Sequence, residues 1–161
     1  MGAKVKSCVD RYKMVVEKAM SRLSGGCHCG NILMDMELTR APDTYNPRAC
    51  DCDFCRQHNA AYVSDPQGAL VIRIKDGQLS GKYRQGSGQA EFLFCNNCGV
   101  LVGVMYRNDG RLYAAVNTKA IQGGKPFGPE QSVSPKKLLA EDKVKRWQDL
   151  WFPSVSIVAA E

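Results

Sequence analysis

The chain has 161 residues, of which 44% are hydrophobic and 24% charged, and its formal charge is +6. That length suits one domain around a single core, and no apolar run approaches the ~18 residues that a membrane-spanning helix needs. The positive charge hints at an anionic partner, but seven metal-bound thiolates and two divalent ions would lower it to +3, so charge alone makes nucleic acid an unlikely partner.

Val5, Val9, Tyr12, Val16, Ala19 and Leu23 recur at spacings of three and four, which predicts a helix over residues 4 to 22. Such a helix packs on the domain or on a second copy of the chain, as in a homodimer. Ser24-Gly25-Gly26 ends it. The period then changes to two. Over Asn31–Leu38, Ile32, Met34, Met36 and Leu38 point one way while Asp35 and Glu37 point the other, the pattern of a half-buried strand. Leu70, Ile72 and Ile74 alternate in the same way before the Asp76-Gly77 turn. Further strands are expected at Leu79–Arg84, Ala90–Phe94, Val100–Tyr106 and Arg111–Val116. The Gly- and Pro-rich stretch from Ile121 to Pro135 reads as a loop, and Lys136–Ala140 as a short helical turn or docking segment. Trp147, Trp151 and Phe152 are expected to pack onto the sheet. The expected fold is mainly β: a small antiparallel zinc-binding domain over residues 24–161, preceded by a helical extension over residues 1–23.

The cysteines carry the chemistry. The N-terminus has no apolar stretch of signal-peptide kind. Lys6 stands where a myristoylation motif after Gly2 would need Ser or Thr. A cytoplasmic, reducing setting is therefore expected, where clustered cysteines are more often metal ligands than disulfides. Cys8 stands alone on the predicted helix and reads as a structural thiol. The other seven fall into three groups: Cys27-His28-Cys29, Cys50-Asp51-Cys52-Asp53-Phe54-Cys55, and Cys95-Asn96-Asn97-Cys98-Gly99. A structural zinc takes four ligands in a tetrahedron. Neither pair suffices alone, and together Cys27, Cys29, Cys95 and Cys98 close one site. His28, between two ligands, should point away from that metal. Cys50, Cys52 and Cys55 remain, and three thiolates leave one coordination position open, the mark of a catalytic zinc. His58, three residues after Cys55, offers a fourth ligand that would instead close a structural site. Spacing leaves both arrangements open, along with a different pairing of the groups or disulfides.

At these groups the chain resembles the glutathione-dependent formaldehyde-activating enzymes, a family grouped with centromere protein V. The matching segments are Gly25-Gly26-Cys27-His28-Cys29-Gly30, Cys50-Asp51-Cys52-Asp53-Phe54-Cys55-Arg56 and Phe94-Cys95-Asn96-Asn97-Cys98-Gly99, with Tyr83 and the Trp147 region also in keeping. The resemblance spans roughly residues 24 to 152. It implies a β-tent fold, a structural zinc on Cys27, Cys29, Cys95 and Cys98, and a reactive zinc on Cys50, Cys52 and Cys55. It also implies a reaction that joins glutathione to formaldehyde to give S-hydroxymethylglutathione, whose reverse is a carbon–sulfur lyase step. Relatives often carry Ser-His or Cys-His around the triplet, Arg or Lys after Arg56, and Thr after the last Cys-Gly. Here Asp51 and Asp53 flank Cys52, Gln57 follows Arg56, and Val100 follows Gly99. The two acids would add negative charge beside the open zinc and disfavour an anionic thiol. Arg56, with Lys82 and Arg84 behind it, is the candidate to receive the thiol's carboxylates. The competing class is a non-catalytic zinc module that binds a macromolecule through the Lys136-Lys137 and Lys143–Arg146 clusters. No aromatic stacking platform interleaves with those clusters.

Overall fold

A computed structural model describes residues 21–123 and 126–159. Eleven strands are defined among them: β1 (Ser21–Gly26), β2 (Ile32–Leu38), β3 (Arg48–Cys50), β4 (Ala61–Val63), β5 (Ala69–Ile74), β6 (Ser80–Tyr83), β7 (Glu91–Cys95), β8 (Leu101–Asn108), β9 (Arg111–Asn117), β10 (Gln131–Val133) and β11 (Ser154–Ala159). Two α-helices accompany them, α1 (Asp53–Gln57) and α2 (Ala140–Leu150). The strands form a four-stranded sheet in the order β1-β2-β5-β11 and a seven-stranded sheet in the order β10-β3-β4-β9-β8-β7-β6. The mainly β fold read from the alternating pattern is the fold observed. It is not wholly antiparallel, because β10 runs parallel to β3 and β11 parallel to β5. No helix among the described residues is long and apolar enough to cross a membrane.

The N-terminal boundary is corrected. Most of the helix expected over residues 4 to 22, with Cys8, lies outside the described residues. Its last two positions are strand: Ser21 pairs with Leu38 and Arg22 with Glu37 along β2. Leu23, counted on the helix face, sits opposite Met36 and packs against the core as a strand residue. The β2 ladder satisfies the backbone of this segment, and that outweighs its weak helical period. The β domain therefore begins by Ser21 rather than at residue 24.

The large sheet is covered on both faces, which its strands show by alternation. Along β9, Ala114 and Val116 face a core shared with Ile32, Met34, Met36, Leu38, Leu70 and Ile72 of the small sheet. Tyr113 and Ala115 face the opposite way, onto Trp147 and Trp151. Helix α2 packs there through Val144, Trp147 and Leu150, spaced three apart, with Trp147 and Trp151 rings 5.2 Å apart. Glu141 and Asp142 in its first turn oppose the positive end of the helix dipole. Phe152 crosses to the other core and pairs its backbone with Ala114. The expected packing of Trp147, Trp151 and Phe152 onto the sheet is observed.

One polar group pins the loops beside the core. Asp65 is buried, and its Oδ2 accepts from the Thr39 amide (2.8 Å), the Thr39 hydroxyl (2.7 Å) and the Tyr45 hydroxyl (2.6 Å). The Gln67 amide donates to Oδ1 at 2.9 Å. Burial opposes ionisation, but these donors outweigh it and hold the carboxyl below its usual range. A depressed folded pKa means stability that is present above the unfolded value and lost as pH falls through the folded one. Acid unfolding monitored by circular dichroism should therefore set in below pH ~4. Asp65→Asn should remove that acid-sensitive component and destabilise the domain at neutral pH by about 2 kcal/mol, because an amide nitrogen then faces donors. Unchanged acid unfolding in the variant would show that Asp65 carries none of the effect.

Candidate metal centres and the cavity beside one of them

The first centre forms where two turns meet. Cys27 and Cys29 occupy the turn between β1 and β2, and Cys95 and Cys98 the turn between β7 and β8. Gly30 and Gly99 complete these turns with φ of 78° and 77°, the left-handed region that suits glycine. The four sulfurs all lie within 4.8 Å of one another. Cys27 Sγ and Cys29 Sγ are 3.7 Å apart, and Cys29 Sγ and Cys95 Sγ 3.5 Å. A tetrahedral zinc with bonds of about 2.3 Å holds its sulfurs roughly 3.8 Å apart, so the thiols are spaced for one such ion. Donors already point at them. The Ile32 amide donates to Cys27 Sγ at 3.2 Å. The Asn97 side chain, followed by the Asn31 amide, pulls the Cys29 thiol down to about 6. Burial pushes Cys95 up to about 11, against donation from the Cys98 and Asn97 amides. His28 is exposed and outside the cluster, as expected.

The second centre gathers Cys50 from the end of β3, Cys52 at the N-cap of α1 and Cys55 within α1, again with all sulfurs within 4.8 Å. Strand β3 and the short helix bring the three thiols to one point. The Cys55 amide donates to Cys52 Sγ at 3.5 Å, and Gln85 Nε2 approaches the same sulfur at 3.8 Å. The Tyr62 hydroxyl lies 3.3 Å from Cys55 Sγ. Hydrogen bonding from the Cys55 thiol lowers Cys50 to about 6. The same interaction, with burial, pushes Cys55 up. Burial and the neighbouring sulfur push Tyr62 up, so its hydroxyl stays protonated and donates. Three thiols crowded this closely favour a cation in their midst. The donor set of both clusters, all thiolate, is that of a soft or borderline metal such as zinc.

His58 does not join the triplet. It is exposed, and its ring meets that of Phe54 at a tilt, with centroids 4.7 Å apart. No other His, Asp or Glu among the described residues joins it, so the geometry favours the three-ligand arrangement over the closed one. All seven described cysteines are unbridged, and the pairing of the groups is the one obtained by counting.

Cys50, Cys52 and Cys55 line a cavity of about 210 Å³. Its lining includes the aromatic residues Tyr62, Phe92, Trp147 and Trp151 and the cations Arg48, Lys136, Lys143 and Arg146. The three expected carboxylate receivers lie elsewhere. Arg56 is exposed on α1 and does not line the cavity. Lys82 and Arg84 both pair with Glu91, at 3.5 and 2.5 Å. Arg56, the fourth residue of α1, Lys82 on β6 and Arg84 just after it are all exposed. The acids expected to make the site negative do not line it either. Asp51 accepts from Ser134 and pairs with Lys136 at 3.5 Å, while Asp53 is exposed in the first turn of α1. No carboxylate among the described residues lines the cavity. Arg48 carried a readable signal, since period-two alternation puts it on the face of Cys50. Lys143, Arg146 and Trp147 carried none beyond their place on a helix that the pattern did not reveal.

The fold and the site together define a mainly β domain with a four-thiol cluster and a separate three-thiol cluster on a cavity, both of which could hold a metal ion. The chain belongs to the glutathione-dependent formaldehyde-activating enzyme family, whose sequence model matches residues 22–136. No curated protein matches it. A crystal structure of a Rhodobacter sphaeroides protein is similar over 68% of this chain and 100% of its own, at 22% identity and a TM-score of 0.48.

Proposed function

We propose that the chain is a zinc-dependent enzyme that adds a glutathione-like thiol to formaldehyde or a similarly small aldehyde, a carbon–sulfur lyase chemistry in reverse. Cys27, Cys29, Cys95 and Cys98 would hold a structural zinc. Cys50, Cys52 and Cys55 would hold the second, which when bound supplies a Lewis-acid position that lowers the pKa of an incoming thiol. The observation that carries this reading is the contrast between the clusters: four thiols close the first, whereas the three of the second line a cavity.

The chain's own groups do the rest. The Tyr62 hydroxyl, the Gln85 amide and the Cys55 amide donate to the cluster sulfurs and temper their charge. Tyr62, Phe92, Trp147 and Trp151 in the lining exclude water and leave the sulfur of a bound thiol poorly solvated and nucleophilic. The cations of the lining draw in an anionic thiol. With no carboxylate or imidazole among the described residues that line the cavity, the thiol proton leaves through solvent. The thiolate sulfur then bonds to the aldehyde carbon, and the resulting alkoxide takes a proton from water.

Placement of Lys136, Lys143 and Arg146 around this cavity weighs against the macromolecule-binding alternative, which needs those cations on an extended face. The test is the rate of S-hydroxymethylglutathione formation from glutathione and formaldehyde by the zinc-loaded chain. A rate above the uncatalysed one, lost on removal of metal and regained with zinc, is expected. A rate equal to background at every zinc loading would remove the enzymatic reading.

A further inference from the structure

We propose that Arg48 and Arg146 form a two-guanidinium seat that binds a carboxylate of the thiol substrate. This inference rests on the reading of the cavity as a thiol site and assigns the residues that would select an anionic thiol there.

Both arginines line the cavity, one from β3 and the other from α2, and both are half-buried. Neither has a carboxylate partner among the described residues, and the salt bridges formed there involve other cations. Withdrawing an arginine from water without a counter-ion is costly. Here two are withdrawn together beside one cavity. An anion seated between them relieves both costs at once. The seat is also oriented. Arg48 donates through one terminal nitrogen to Ser64 Oγ at 2.6 Å, and Ser64 in turn donates to the Leu150 carbonyl at 2.7 Å. That chain ties the guanidinium of β3 to the C-terminal end of α2. It uses one of five N–H donors and leaves the rest of the fork for a planar partner. Arg146 sits beside Trp147, which packs on the sheet and fixes that part of the helix.

A carboxylate suits this arrangement better than a larger anion. Two planar forks match its two oxygens, and the cavity, at about 210 Å³, is smaller than the ~300 Å³ at the low end of ligand pockets. A thiol can enter with its sulfur toward Cys50, Cys52 and Cys55 and one carboxylate on the arginines, the remainder of a peptide-sized molecule extending outward. The competing role for the arginines is to balance the thiolates, since Cys50, Cys52 and Cys55 line the same cavity.

The test uses S-methylglutathione, whose sulfur cannot ionise, and its diethyl ester, which lacks both carboxylates. Binding of each to the zinc-loaded full chain is titrated by calorimetry for the wild type, Arg146→Met and Arg146→Lys, with zinc content and thermal midpoint measured alongside. Arg48→Lys serves as a second variant that keeps the charge but loses the fork. Expected are saturable binding of S-methylglutathione to the wild type and a loss on the order of tenfold in Arg146→Met. A smaller loss is expected in the two lysine variants, and weak ester binding that none of them changes. Equal binding of acid and ester, or no saturable binding to the wild type, overturns the seat. Loss of zinc from Arg146→Met with unchanged binding per zinc-loaded chain also overturns it and assigns the arginine to the thiolates. Carboxylate-dependent, Arg146-dependent binding in a chain that makes no S-hydroxymethylglutathione leaves the seat standing and removes only the reaction.

Discussion

Replacing Cys50, Cys52 and Cys55 together by serine is expected to lower bound zinc from two ions per chain to one and to reduce S-hydroxymethylglutathione formation to the uncatalysed rate, while the domain stays folded. The three sulfurs lie apart from the core between the two sheets. Cys50 ends a three-residue strand, and α1 is five residues long. The short helix is held by Phe54, whose ring meets those of Phe92 at 4.6 Å and Tyr83 at 5.1 Å, and the substitutions leave these contacts alone. The main structural cost is a serine hydroxyl at buried position 55, near the Tyr62 hydroxyl that can accept its hydrogen bond. About 1–2 kcal/mol is a fair size for such a change, or roughly 2–8 °C in a domain of this length. Zinc by atomic absorption, the thermal midpoint and the glutathione–formaldehyde rate read the three parts separately. One ion in both proteins would mean that the triplet holds no metal. An unfolded variant would mean that the triplet is a structural site after all, and the enzyme reading would go with it.

What the sequence disclosed divides along the range of the interactions involved. Strands β2 and β5 were legible because each buries one face, so that Ile32, Met34, Met36 and Leu38 repeat with period two, whereas β8 and β9, buried on both faces, were legible as apolar runs. The four-thiol centre was legible because coordination chemistry counts ligands whatever the distance along the chain. Helix α2 was not legible. Its sequence, AEDKVKRWQDL, offers a stripe only three residues deep, and the tryptophans that anchor it are satisfied by a sheet face assembled from β8 and β9. Strand β11 was missed because its partner β5 lies about 80 residues away and most of its side chains are exposed. The same cause separates the cations expected near the cavity from those that line it. Arg56 is next to a ligand in sequence but turned outward by the helix, whereas Arg146 reaches the cavity only because α2 docks across the sheet.

The larger effect on stability is expected at the other centre. Cys95→Ser should prevent folding of the domain or lower its thermal midpoint by more than about 20 °C, with loss of the β signal in circular dichroism. Cys95 is fully buried and belongs, with Cys27, to the core between the sheets. The cluster it completes joins the β1–β2 turn of the small sheet to the β7–β8 turn of the large one. Removing one ligand abolishes a closed tetrahedral site, and structural zinc contributes on the order of 10–16 kcal/mol in small domains. That matches or exceeds the whole net stability of a typical domain, about 5–15 kcal/mol. The thiols left behind would then be crowded together without a cation. Order of release gives an independent measurement. A chelator should first remove the ion held by three ligands beside an accessible cavity, abolishing activity with the β signal intact. It should remove the second ion only as the domain unfolds. A Cys95→Ser protein that binds one ion fewer yet melts at the wild-type temperature would show that the two sheets hold together without the metal. In that case the packing of Met34, Met36, Leu93, Val102 and Phe152 between them, and not the four-thiol clamp, fixes their relation.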